Sequence, residues 1–145
     1  AQRPVVTHQS GASQIDGLRA NYEAAGVQAD CTPFIEDTAT AFADADIIVC
    51  RAGASTVTEI AAVGAAAIFV PFPSAVDDHQ TTNAQFLVDA GGGWLVQQRD
   101  LTPEGLSQML LKLERPALVD IALKAKNMQK INATREVVTA CEELA

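Results

Sequence analysis

Basic residues are in short supply in this chain of 145 residues: 10 lysines and arginines face 18 aspartates and glutamates, leaving a net charge of −8. That balance excludes bulk electrostatic binding to nucleic-acid backbones or to anionic headgroups. An anionic ligand must therefore be held by local geometry, through backbone amides or a few chosen side chains. Long apolar runs are missing as well. The longest uncharged stretch, Ile60 to Val76, is interrupted by Gly64, Pro71 and Pro73 and is too short to span a bilayer. Of the three cysteines, Cys31, Cys50 and Cys141, no two stand at metal-ligand or redox spacing. They are expected to be reduced, mostly buried thiols of a cytosolic protein. The start, Ala1-Gln2-Arg3-Pro4, has neither the basic opening nor the apolar run of a secretory signal. It has no initiator methionine either, so a cut-out or processed piece is expected.

What is present is ordinary globular material. Apolar residues make up 48% and charged ones 19%, enough for one domain with a real core. Short β-branched runs alternate with amphipathic stretches. Strands are expected at Val5–His8, Cys31–Ile35, Ile47–Cys50, Ala66–Val70 and Trp94–Val96. Helices are expected over Ser13–Ala25, Asp37–Ala43, Thr56–Val63 and Gln80–Ala90, with Gly26 and Gly64 closing the first and third. Ile47 to Cys50 is apolar on both faces, as in strands covered by helices on each side. From Thr102-Pro103-Glu104, an N-cap followed by a first-turn proline and an acid, two or three helices run to the end, about residues 102–145. The pattern predicts a mostly parallel, Rossmann-like doubly wound α/β sheet, residues 1–145 forming one nucleotide-binding domain.

The segment Cys50-Arg51-Ala52-Gly53-Ala54-Ser55-Thr56-Val57-Thr58-Glu59 carries the most chemistry. A buried strand enters a turn of small residues and then a helix, whose first amides favour an anion. A pyrophosphate fits at Ala54, Ser55 and Thr56, although no Walker loop and no Gly-x-Gly-x-x-Gly is present. Two readings of Glu59 stand side by side. In one it closes a capping box with Thr56; in the other it accepts hydrogen bonds from ribose hydroxyls. A second segment, Val70-Pro71-Phe72-Pro73 through Asp78-His79-Gln80 to Asn83-Ala84, also leaves the carboxyl end of a strand. Gln80 and Asn83 share a helix face and suit sugar hydroxyls, while Asp77 and Asp78 suit helix capping. Consecutive Asp-Asp-His is poor metal spacing, and no metal is expected. His8 is expected to be a hydrogen-bonded structural residue. Neither a Cys–His pair nor a serine elbow supports nucleophilic catalysis.

Together, His8-Gln9-Ser10-Gly11, Pro33-Phe34-Ile35, Ala45-Asp46, the Cys50–Glu59 segment, Val70-Pro71-Phe72-Pro73, Asp78-His79-Gln80 and Asn83-Ala84 resemble the carboxy-terminal half of the MurG family of glycosyltransferases. The likeness runs in order from about Pro4 to the final Asn132-Ala133-Thr134 helix. It implies the carboxy-terminal domain of a GT-B enzyme that inverts the anomeric centre by direct displacement. Such an enzyme transfers N-acetylglucosamine from its UDP carrier to lipid I, making lipid II for peptidoglycan, with no cofactor and no obligatory metal. Carried over residue by residue, Phe34 and Ile35 lie at the uracil, Ile35 through its backbone. Ala54, Ser55, Thr56, Val57 and Thr58 surround the diphosphate, Glu59 holds the ribose, and Gln80 and Asn83 read the sugar with His79 beside them. The family's Gly-Lys/Leu-Pro lead-in is Gly64-Ala65-Ala66 here.

The resemblance further implies that this chain starts after the family's glycine-rich first strand. The strands at Val5 and Ile47 are then left with unpaired edges, and the acceptor site, catalytic base and membrane-facing patch lie in an absent amino-terminal half. The expected setting is peripheral, on the cytoplasmic face of the bacterial inner membrane, and the 145 residues alone are expected to be inactive. The alternatives are the donor subunit of a split two-chain transferase, a GT-B transferase with another acceptor, and a non-catalytic α/β domain.

Overall fold

The computed structural model describes residues 3–73 and 78–144. The chain runs β1 (Thr7–Gln9), α1 (Ile15–Ala24), β2 (Asp30–Thr32), α2 (Thr38–Asp44), β3 (Ile48–Cys50), α3 (Ala54–Val63), β4 (Ala67–Phe69), α4 (His79–Val88), β5 (Trp94–Leu95), α5 (Pro103–Lys112), α6 (Arg115–Asn127) and α7 (Ala133–Glu143). It divides into two compact units, the first ending at Ala41 and the second starting at Phe42, so the division falls within α2.

In the first unit β1 and β2 pair in parallel, Thr7 opposite Asp30 and Gln9 opposite Thr32. The helix between them makes this a βαβ unit, as parallel neighbours require. Gly26 takes a left-handed φ of 61° just past α1, where a side chain would be strained. The strand expected over Cys31–Ile35 ends early, at Thr32. Pro33 has no N–H for the ladder, and the chain turns away with the Thr32 hydroxyl donating to Phe34 O at 2.8 Å. Asp37 precedes α2 and accepts from the Thr40 amide at 3.0 Å and the Thr40 hydroxyl at 2.7 Å. Those bonds, the backbone one first, hold its carboxyl below the usual range. His8 is structural as expected: its Nδ1 pairs with the Tyr22 hydroxyl at 3.0 Å, the rings meeting edge to face.

In the second unit β3, β4 and β5 form a parallel sheet in that order. β4 is its centre, and Ala67, Ile68 and Phe69 are wholly inaccessible. Ile60 and Val57 of α3, Ala84 and Leu87 of α4 and Ala125 of α6 complete the core. β3 departs from the expectation of cover on both faces, since Val49 remains 46% exposed. Among the described residues β1 pairs with β2 alone and β3 with β4 alone.

Two sequence signals locate helix ends well. Gly64 caps α3 with φ 78°, and the α6 residue Lys126 lies over it, donating from Nζ to Ala62 O. Thr102 caps α5 by accepting from Gly105 N at 3.0 Å, with Pro103 in the first turn.

The glycine run before β5 is a packing requirement. A Cβ on Gly93 would stand 2.7 Å from Ala67 O and 3.0 Å from the Phe69 ring, and neither neighbour in the central strand can yield. Gly93→Ala should therefore lower stability by about 1–3 kcal/mol. Urea denaturation checks this; an unchanged midpoint would show that the strand tolerates the added carbon.

Candidate functional site

The carboxyl ends of β3 and β4 open onto two loops, the place where parallel α/β sheets hold ligands. Cys50 ends β3, and burial pushes its thiol up to about 12. After it the ladder stops, and Ala52 is fully buried with both its peptide groups in need of partners. Two side chains of α4 supply them. Gln80 Oε1 accepts from Ala52 N at 3.2 Å, and Asn83 Nδ2 donates to Ala52 O at 3.1 Å. The same Gln80 oxygen also accepts from Phe72 N at 3.0 Å, in the loop after β4. Arg51 joins these loops from the other strand, donating from Nη1 to Val70 O and Pro71 O, each at 3.2 Å. Its guanidinium lies 5.4 Å from the centre of the Phe72 ring.

Gly53 is the N-cap of α3, extended at φ −63° and ψ 148°, and no side chain caps the helix. The helix starts two residues before the expected Thr56, so Thr56 is its third residue and the capping box does not form. Val57 N already bonds Gly53 O at 3.0 Å, but the amides of Ala54, Ser55 and Thr56 precede the first intrahelical bond. Ala54 and Ser55 are exposed and Thr56 partly so. Glu59 is exposed too, one turn beyond Ser55 and Thr56 on the same face. The other two expected contacts are committed in part. Val57 turns its side chain into the core, and the Thr58 hydroxyl donates to Ala54 O at 2.8 Å.

At the start of α4, Asp78 occupies the N-cap with φ 53°. Its carboxylate makes no capping bond to the backbone; it accepts from the Thr81 hydroxyl at 2.6 Å, which in turn accepts from Gln97 Nε2 at 3.1 Å. Asp77 lies outside the described residues. His79 is exposed on the first turn. Among the described residues no three histidine, cysteine or acidic side chains converge as a metal site would need. In the first unit, Phe34 is 66% exposed on the loop after β2, and Ile35 N donates to Gln9 Oε1 at 3.0 Å.

Two points were not legible in sequence. Gln80 and Asn83 do share a helix face, but each spends half of its carboxamide on Ala52, 28 and 31 residues away, a contact no local pattern announces. Arg51 is the second point: a cation directly after an apolar strand and a Pro-Phe-Pro loop ahead are the two halves of its contact. The cysteines also differ from expectation. Cys31 and Cys50 are partly buried, whereas Cys141 is exposed on α7, the last helix.

The class that the fold defines is a parallel α/β domain with an uncapped helix start at the carboxyl end of a strand. The comparisons with known proteins narrow that class. The family model described as the glycosyltransferase family 28 C-terminal domain matches residues 2–141, and the chain belongs to this family. It is 78% identical over 143 residues to a UDP-N-acetylglucosamine–N-acetylmuramyl-(pentapeptide) pyrophosphoryl-undecaprenol N-acetylglucosamine transferase of Paracidovorax citrulli, covering 99% of this chain and 40% of the relative. A protein of the same name from Polaromonas sp. is 77% identical over 145 residues, covering 100% and 38%. The crystal structure of Acinetobacter baumannii MurG superposes with a TM-score of 0.88 at 46% identity, over 94% of this chain and 42% of that one. The chain thus spans about two fifths of the length of these relatives. No helix among the described residues is long and apolar enough to cross a membrane.

The thiols give a direct check on this geometry. At pH 8 iodoacetamide should modify exposed Cys141 while Cys50 stays unreactive until the protein is denatured, because only the thiolate attacks. The fold holds the Cys50 proton more tightly than the unfolded chain does, so this group's contribution to stability is complete below about pH 9 and drains away towards about pH 12. Mass spectrometry of alkylated peptides decides it; equal rates at the two sites would contradict the burial of Cys50.

Proposed function

We propose that residues 1–145 are the donor-binding domain of a UDP-N-acetylglucosamine-dependent transferase that glycosylates lipid I to make lipid II. The observation that carries this reading is the start of α3: three helix-start amides with no side-chain cap, and Glu59 one turn further on the same face. A diphosphate there is held by amide dipoles and not by cations, which suits an acidic protein. The hydroxyls of Ser55 and Thr56 add further donors around it, while that of Thr58, expected there too, is spent on Ala54 O. As the glycosidic bond breaks, charge grows on the UDP phosphate, and the same amides stabilise it in the transition state.

Glu59 takes the ribose hydroxyls in this reading. Gln80 and Asn83 meet the sugar with the halves of their carboxamides that the backbone does not use, Nε2 and Oδ1, and His79 lies beside them. Phe34 offers an exposed aromatic face for the uracil, and Ile35 its carbonyl, since its amide is engaged by Gln9. Two features support the choice of donor and acceptor: family membership and the printed function of relatives that share more than three quarters of the aligned residues. The chemistry calls for no cofactor. The acceptor site and general base belong to the remaining three fifths of a protein of the relatives' length, and the setting is the cytoplasmic face of the bacterial inner membrane.

Glu59→Gln in the full-length protein should weaken UDP binding by about 1.5–3 kcal/mol, the range for a hydrogen bond to a charged group. The melting temperature should hardly move, because Glu59 makes no capping bond. Calorimetry is the measurement. Unaltered UDP affinity would remove Glu59 from the ribose and leave the nucleotide reading without its acid.

A further inference from the structure

The bonds made by Gln80 tie together two loops that otherwise leave different strands. Its single carboxamide oxygen takes Ala52 N, in the turn that leads into α3, and Phe72 N, in the loop after β4. Asn83 grips the same residue from its other side through Ala52 O. Arg51 closes the seam from the β3 side by donating to Val70 O and Pro71 O and covering Phe72. Ala52 is completely buried and Gly53 directly follows as the cap of α3, so the direction of the first α3 amides is set through Ala52. Among the described residues no ladder or helix bond restrains the Ala52 peptide groups; these two side chains do.

We propose that Gln80 is a positioning residue for the diphosphate site: through Ala52 and Phe72 it couples the anion-binding start of α3 to the loop after β4. The inference rests on the donor-binding reading above and deepens it. A contact made solely with the sugar would leave binding of the bare nucleotide diphosphate untouched by Gln80. Coupling makes the bare diphosphate depend on it. Removing the oxygen orphans the buried Ala52 amide, and the turn must move to find another partner. Uridine has no phosphate to meet the turn, so its affinity should be unaffected.

The test measures uridine, UDP and UDP-N-acetylglucosamine binding to the full-length protein and to Gln80→Leu by calorimetry. UDP affinity should fall at least fivefold while uridine affinity stays within twofold. Loss confined to UDP-N-acetylglucosamine, with UDP unchanged, would overturn the proposal and leave Gln80 as a sugar contact only. Should Gln80→Leu not fold, the unaltered protein labelled with ¹⁵N-phenylalanine supplies the second measurement. Saturating UDP, but not uridine, should slow exchange of the Phe72 amide at least threefold, although no phosphate contact is assigned to Phe72. Unchanged Phe72 exchange would overturn the coupling. Absence of any UDP binding by the unaltered protein would instead overturn the donor reading, and this inference with it.

Discussion

The second unit depends on what happens to one residue when β3 runs out. Parallel strands satisfy their peptide groups through the ladder, and helices through their own turns, but the residue between the two belongs to neither. At Ala52 that residue is wholly buried, so water cannot take over. Gln80 and Asn83, one helical step apart on α4, answer its N–H and C=O separately. An alanine is suited to this position because its side chain is wholly buried in the core, where a larger one would have to displace its neighbours. The small-residue turn, the entry angle of α3 and the docking of α4 are thus parts of one constraint.

The same constraint bears on charge. A protein of net charge −8 that is proposed to bind a nucleotide diphosphate cannot rely on its general field. The local solution is an α3 start where the cap is Gly53 and no side chain fills the place of the missing acceptors. Serine or aspartate there would make a better cap by a few tenths of a kcal/mol relative to glycine, but would occupy the amides that an anion needs. The weaker cap is consistent with a site whose acceptor is meant to come from outside. It also removes the rival role for Glu59, since no capping box forms to employ it.

Much of this was readable from residues alone because the relevant forces are local. Gly64 marks the end of α3 through its left-handed φ, Thr102-Pro103 marks the start of α5, and the alternation of strand and helix identifies the parallel sheet. The resemblance to the MurG family, in keeping with the glycosyltransferase family 28 match, was legible from seven motifs in order, which no single one could have carried. Errors arose where a local pattern competes with tertiary structure. Thr56-x-x-Glu59 has the form of a capping box, yet α3 starts at Ala54 because Ala52 is fixed from α4 and the helix follows directly. Val49 looks like a strand residue covered on both faces, yet 46% of it remains exposed. Arg51 has no local partner in the sequence; its contacts arise only when the fold brings Val70, Pro71 and Phe72 beside it.

The chemistry of the carboxamide explains why glutamine and asparagine stand at these two positions. Gln80 must accept from two N–H groups, which excludes lysine and arginine, and Asn83 must donate to a carbonyl, which excludes aspartate. Glutamate at position 80 could accept both amides, but it would place a further negative charge on the helix beside a turn proposed to hold a diphosphate, in a chain already short of cations. A neutral carboxamide has no such cost and has two ends. One end secures the scaffold, and the other still presents a donor at Gln80 Nε2 and an acceptor at Asn83 Oδ1. A pair of hydroxyl groups, each both donor and acceptor, is the ligand chemistry that matches such a remainder. The residue types that satisfy Ala52 are therefore also the ones suited to recognise a sugar, and neither task needs to displace the other.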